Sequence, residues 1–251
     1  MSSPTVAKER DKELSLVQHL GELRDRLVIT AIALVATTAI AFYFATPLIR
    51  LLIVPVDCTF IPTFSCHTPP TTLISLSPTE NFTTYFRVAL FGGIALAMPV
   101  ILYEIYAYVD PALLPKERRF IRLMGLPVIG LFVVGMLFCY FILLPNAIKF
   151  LINFGDEVIH NQLRAADYIS FVTIFIFGMG LVFEVPVAIF ALVKIHIITR
   201  PWLAKQRRYA VLVAFVIGAV ITPTPDPFNQ TLVAVPIYLL YELGLFVARF
   251  A

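Results

Sequence analysis

LMGLPVIGLFVVGMLFCYFILL, Leu123 to Leu144, runs 22 residues without a charge. At helical rise it reaches about 33 Å, enough to cross the ~30 Å hydrocarbon layer of a bilayer. Three further runs match it: Leu27 to Ala45, Phe82 to Tyr108 with Arg87 and Glu104 near its ends, and Ile169 to Ile195 with Glu184 inside and Lys194 at its edge. After Arg207 and Arg208 come Tyr209 to Thr222, a turn of Pro223, Thr224, Pro225, Asp226 and Pro227, and then Asn229 to Ala248, which together read as a helical hairpin. Its first arm, Tyr209 to Thr222, reaches only about 21 Å, short of the hydrocarbon thickness. A re-entrant pair is the alternative reading of the hairpin. The expectation is an all-α integral membrane protein, one domain over residues 1–251 with six spans, the last two helices short.

Composition agrees. Of 251 residues 59% are hydrophobic and 14% charged, against about 25% charged in soluble domains. That excludes a soluble globular enzyme. The 22 Phe and 10 Tyr exclude a disordered chain, because so many rings cannot all stay in water. No barrel-length segment alternates with period two, which leaves helices to satisfy the backbone in lipid.

The 19 Lys and Arg residues sort by loop. Lys8, Arg10, Lys12, Arg24 and Arg26 precede the first span; Lys116, Arg118, Arg119 and Arg122 lie between the second and third; Lys194, Arg200, Lys205, Arg207 and Arg208 lie between the fourth and fifth; Arg249 follows the sixth. Only Arg50, Arg87, Lys149 and Arg164 remain for the other side, so both termini are expected in the cytoplasm. The polar first 26 residues, followed by an apolar run with no small-residue cleavage pattern, do not read as a cleavable signal.

The outer loops are Pro47 to Glu80 and Pro145 to Tyr168. Six prolines give the first a non-helical, ordered character, and Leu48 to Val54 reads as a short apolar stretch along the interface. Cys58 and Cys66 share that loop, either as a disulfide or as two thiols. Cys139, inside a span, reads as packing.

No P-loop, HExxH or GxSxG occurs, and the four His residues are scattered, so no enzyme, cofactor or metal site is expected. Nothing points to nucleic acid. A charge at a helix centre in lipid costs about 2.5 to 3.5 kcal/mol on insertion scales. Glu184, in the middle of an apolar run and followed by Pro186, therefore needs a reason: a carboxyl facing a wet cavity, or a protonated acid bonded to a neighbouring helix. Glu104 and Glu242, nearer span ends, can snorkel or pair with loop cations. Glu22 in HLGELRDRL (His19 to Leu27) and Glu117 in PALLPKERR (Pro111 to Arg119) stand among cations. Such carboxylates suit planar two-bond grips on arginine, although Glu22 and Arg26 at i, i+4 can also pair locally.

Five segments in order carry a resemblance: HLGELRDRL, PVILYEIYAYVDPALLPKERR (Pro99 to Arg119), FEVPVAI (Phe183 to Ile189), TPTPDPFNQTL (Thr222 to Leu232) and PIYLLYELG (Pro236 to Gly244). This pattern resembles the TatC family, the multispanning core of the twin-arginine protein translocase. The resemblance implies a cup-shaped six-helix scaffold of the bacterial inner membrane, surrounded by lipid and self-associating in a receptor complex. It would bind twin-arginine signal peptides of folded proteins at the cytoplasmic face, work with TatB- and TatA-like single-span partners, and draw on the proton-motive force. It places signal binding on Glu22 and Glu117, with Arg24 and Tyr108 beside them. The family's intramembrane glutamate falls on Glu184, and positions used for activity or assembly fall on Pro55, Asp226 and Gln230. The hairpin tip is one residue longer than the usual Thr-Pro-Pro-Asp, and Glu104 stands where an uncharged residue is common. The alternative is a small secondary transporter using Glu184 as a proton relay. That predicts inverted repeats and broken helices, and spans one to three do not echo in spans four to six.

Overall fold

The computed structural model describes residues 16–55, 73–109, 115–154, 163–222 and 226–250, without the side chains of residues 16–18, 109, 115–123 and 153. Cys58, Cys66 and residues 223–225 lie outside the described residues.

Among the described residues ten α-helices follow one another: α1 (Leu16–Tyr43), α2 (Ala45–Ile53), α3 (Pro78–Val109), α4 (Pro115–Phe138), α5 (Leu144–Asn153), α6 (Ala165–Val182), α7 (Val185–Lys194), α8 (Arg200–Lys205), α9 (Arg207–Ile221) and α10 (Pro227–Val247). Among them five stretches are long and apolar enough to cross a membrane: His19–Tyr43, Pro78–Tyr108, Met124–Ile152, Ala165–Lys194 and Pro227–Phe250. The chain is a multi-pass membrane protein.

Three expectations change. The third span does not stop at Leu144, because a π-helical turn, Cys139–Leu143, carries α4 into α5 and extends the rod past Lys149 to Asn153. Of the hairpin arms only α9, 15 residues, is short. α10 runs 21 residues because Asp226 caps its start and Pro236 is absorbed within it. The run around Glu184 is likewise two helices: α6 ends at Val182, and α7 starts at Val185 with Pro186 in its first turn. A proline there leaves no donor for the preceding turn, so the break falls just before it.

α6 is the hub, packing against α3, α4, α5 and α9, while α1 lies along α3 and α10 packs on both α7 and α9. Phe132, Leu144, Ile169, Val172, Phe175, Met179 and Val233 are fully enclosed between these elements. Outward-facing Val35, Leu126 and Val220 remain exposed, as expected where lipid rather than water is the solvent. Leu48, Ile49, Leu52 and Ile53 of α2 rest on the core. The α2 carbonyls of Leu51 and Leu52 accept the hydroxyls of Tyr140 and Tyr168 at 2.8 and 2.9 Å.

At the end of the bundle near α2, Ile74 pairs with the strand-like stretch before α6: its N–H donates to Leu163 at 3.0 Å and its carbonyl accepts from Ala165 at 2.9 Å. Glu80, 5% exposed, locks the contact. It accepts the N–H groups of Leu76 and Ala166 and the guanidinium of Arg164, each at 3.1 Å.

Close helix contacts depend on glycine. A Cβ at Gly93 would collide with Thr38 Oγ1 and lie 2.6 Å from Thr38 Cα, so α1 and α3 touch backbone to backbone there. Gly93→Val is therefore expected to lower stability by about 1–3 kcal/mol through overpacking, read as a reduced Tm in detergent. Gly125→Ala, with nothing within 4 Å of the new methyl, should leave Tm unchanged; equal Tm for Gly93→Val and wild type would contradict the contact.

Candidate functional site

The first residues of α1 and the last of α3 form one polar end of the bundle. His19 stacks on Tyr108 with ring centroids 4.4 Å apart. Further along α1, Arg26 spreads its guanidinium over two acids. Nε and Nη2 donate to Glu22 Oε1 at 3.0 and 2.5 Å, and Nη1 donates to Glu104 Oε2 at 3.1 Å. The side chains of Glu22 and Arg26 are about one-quarter exposed, while Glu104 is 8% exposed. The fixed fork of the planar guanidinium closes two nitrogens on one acid while a third reaches the other, a geometry that lysine's single ammonium nitrogen does not preset. Arg24 instead points outward and pairs with its neighbour Asp25 at 2.8 Å.

A second charged cluster joins the start of α9 to the end of α10. Arg207 grips both oxygens of Glu242, at 2.7 and 3.0 Å, and Tyr238 donates to the same carboxylate at 3.0 Å. The bonded carboxylate pushes the Arg207 guanidinium above its ordinary range. Nearby backbone carbonyls are also taken: Arg200 donates to Leu245 at 3.2 Å and Tyr241 to Leu203 at 2.6 Å. Glu104 and Glu242 thus both meet loop or helix-end cations.

Glu184 occupies the break between α6 and α7. Its N–H donates to Leu181 at 3.1 Å and its carbonyl accepts from Ala188 at 2.8 Å. Its carboxyl oxygen Oε1 is buried without a hydrogen-bond partner among the described residues. Gly244 of α10 packs here, where a Cβ would come within 2.8 Å of Ile189. Among the described residues no three potential ligands converge on a metal position.

The model of the TatC family, described as the Sec-independent protein translocase protein, matches residues 18–236. A TatC of Carboxydothermus hydrogenoformans is 38% identical over 240 residues, 96% of this chain and 95% of its own length. The TatC of Escherichia coli is 37% identical over 235 residues, covering 94% and 88%. A crystal structure of the twin-arginine translocase receptor TatC superposes with a TM-score of 0.80 at 39% identity, over 92% of this chain and 98% of that one.

The chain belongs to the TatC family. Its members are protein translocase components, and the whole fold, not one motif, carries the match.

Within this TatC-family fold the residues singled out in the sequence separate into groups. Glu22, Arg24 and Tyr108 share the polar end. Glu117 lies in the first turn of α4, shortly beyond the end of α3, with its side chain outside the described residues. Asp226 and Gln230 sit at the far end of the α9–α10 hairpin from Arg207. Asp226 caps α10, accepting the Asn229 N–H at 2.6 Å and the Asn229 side-chain amide at 3.0 Å. Gln230 donates to the Phe215 carbonyl at 3.0 Å, tying α10 to α9. Pro55 follows α2, half-buried. Sequence reasoning missed Arg26 as the link between helices. Its i, i+4 partner Glu22 was visible, but Glu104 lies 78 positions away and only the antiparallel packing of α1 and α3 brings it in.

Removing the cap in Asp226→Ala is expected to cost about 1 kcal/mol and to speed amide exchange at Asn229. Asp226→Asn, which keeps a side-chain acceptor, should stay near wild type. Unchanged Asn229 exchange in Asp226→Ala would refute the capping role.

Proposed function

We propose that the chain is the receptor subunit of a twin-arginine translocase in the bacterial inner membrane, crossing it six times with both termini in the cytoplasm. It binds the two arginines of a signal peptide at the polar end of α1 and α3 and scaffolds the translocation site for folded passengers. The observation that carries this reading is that Glu22, a partly exposed acid at that end, already grips a guanidinium from two nitrogens. A site that holds one arginine in this fork has the geometry for another. The likeness to a crystallised twin-arginine translocase receptor supports the same assignment, as does the full-length family match.

In this reading Glu22 and Glu117 hold the paired guanidinium groups, and Tyr108, stacked on His19, offers a ring face beside them. Arg24, paired with Asp25, adds a cation beside them. The apolar stretch of the signal then runs inward along the bundle, where the buried, unpartnered oxygen of Glu184 waits for a polar contact from the signal or from a single-span TatB- or TatA-like helix. Pro55, Asp226 and Gln230 hold the opposite end. Transport draws on the proton-motive force.

The break at Glu184 is a feature the transporter alternative also predicts. Among the described residues the interruptions at Phe44 and at Cys139–Leu143 carry no acid, and the acid at the α9–α10 joint, Asp226, is taken up as a helix cap, so no symmetry mate accompanies it. The receptor reading explains the break and the polar end together.

In membranes carrying Glu22→Gln or Glu117→Gln, photo-cross-linking to a twin-arginine signal peptide is expected to fall about tenfold or more, the scale of one lost charge-assisted bond, with the protein still present at normal levels. Normal cross-linking in both variants would overturn the assignment. Because the grip is ionic and lies at the surface, raising salt from about 0.05 to 0.5 M should weaken binding in the wild type; salt-independent binding would speak for an apolar docking site instead.

A further inference from the structure

Resting on that receptor reading, we propose that Arg26 is an internal competitor that sets the preference for arginine over lysine in the signal, with Glu104 as the second seat that lets it step aside. Glu22 and Arg26 are equally reachable from outside, each about one-quarter exposed, while Glu104 is closed in by the bundle. Arg26 spends two nitrogens on Glu22 and one on Glu104. An arriving guanidinium that takes the oxygens of Glu22 therefore does not expel Arg26 into an uncompensated position. Arg26 keeps its bond to Glu104, and its cation stays paired.

Two consequences follow from the chemistry of the fork. An incoming group must match a grip made by two nitrogens on one carboxylate, which a guanidinium can do and a lysine ammonium, a point charge, cannot. Arg26 thus screens out cations that would otherwise satisfy a free carboxylate. The second consequence concerns Glu104. With that acid neutralised, Glu22 becomes the one described carboxylate holding Arg26, so the competitor is held harder and the signal binds less well.

General charge effects point the same way for each single change: removing a cation favours a cationic ligand, and removing an anion disfavours it. The double variant Arg26→Gln/Glu104→Gln separates the explanations, because it leaves the net charge of the site unaltered and leaves no buried acid unpaired. The full chain in lipid nanodiscs is titrated with fluorescent signal peptides bearing Arg-Arg or Lys-Lys. The double variant is expected to bind the Arg-Arg peptide about fivefold tighter than wild type and to narrow the Arg-Arg to Lys-Lys ratio by a similar factor. Unchanged or weaker Arg-Arg binding, or an unchanged ratio, overturns the proposal. Should the double variant fail to fold, the ratio in Glu104→Gln decides: a competitor held harder must widen the Arg-Arg to Lys-Lys ratio several-fold, whereas a general charge effect weakens both peptides alike, and an unchanged ratio overturns the proposal. Glu22→Gln is measured in parallel. If it binds normally, the receptor reading of this end fails; if it binds poorly while the double variant behaves as wild type, only the role of Arg26 fails.

Discussion

Hydrocarbon offers no hydrogen bonds, so each polar group placed in or beside it must find its partner within the protein. The helices answer this for the backbone, and the side chains answer it in pairs. Arg26 with Glu22 and Glu104, Arg164 with Glu80, and Arg207 with Glu242 each join two helices or a helix and a loop. These pairs sit at the ends of spans, where water begins. Apolar contact alone holds helices weakly in lipid, since lipid tails are as apolar as leucine. The ion pairs therefore fix which helix ends meet, while close glycine contacts such as Gly93 on Thr38 fix how near the helices lie.

Among the described residues three buried oxygens lack a partner, Thr38 Oγ1, Asn229 Oδ1 and Glu184 Oε1, and of these only Glu184 is an acid, standing where the chain breaks its own helical ladder. Its unpartnered oxygen and the break both trace to the sequence Glu184-Val185-Pro186. The proline removes a donor from the ladder, the chain turns, and the acid is left at the joint. A structural acid would be satisfied here, as Glu80 is, with three donors on one carboxylate. Under the receptor reading, a contact supplied from outside the chain accounts for the difference.

Much of the fold was legible because a long apolar run has few alternatives. Leu123 to Leu144 fixed the class, and Tyr209 to Thr222 already showed one arm of the hairpin to be short. The π turn after Phe138 was not legible, since nothing in Cys139 to Leu143 departs from helix-forming composition. The extent of α10 was legible, since Asn229 to Ala248 was read as one span across Pro236 and the helix runs Pro227–Val247. The site divided along the same line. Glu22 was found because its partner Arg26 is four residues away on one helix face. The partners of Glu104 and Glu80 were not, because they lie 78 and 84 positions away and only packing delivers them. Asp226 was read as part of the turn, and only the structure shows it as the cap of α10, an acceptor followed by a residue with no donor to lose.

The two forked arginines show why composition of a cluster does not decide its role. Arg207 grips Glu242 with both oxygens engaged, and Tyr238 adds a donor to the same carboxylate. Nothing described in that cluster offers Arg207 a second acid, so releasing it would leave the cation to water, and the cluster acts as a clamp between α9 and α10. At the α1–α3 end one guanidinium is divided between two acids of unequal exposure, and the more exposed acid is bonded through a single oxygen, Oε1. Glu22 therefore retains an acceptor edge that Arg26 does not occupy, while Arg26 retains a fallback. The first arrangement resists exchange; the second is built so that exchange costs little, which is the property a docking site for arginine-bearing passengers requires.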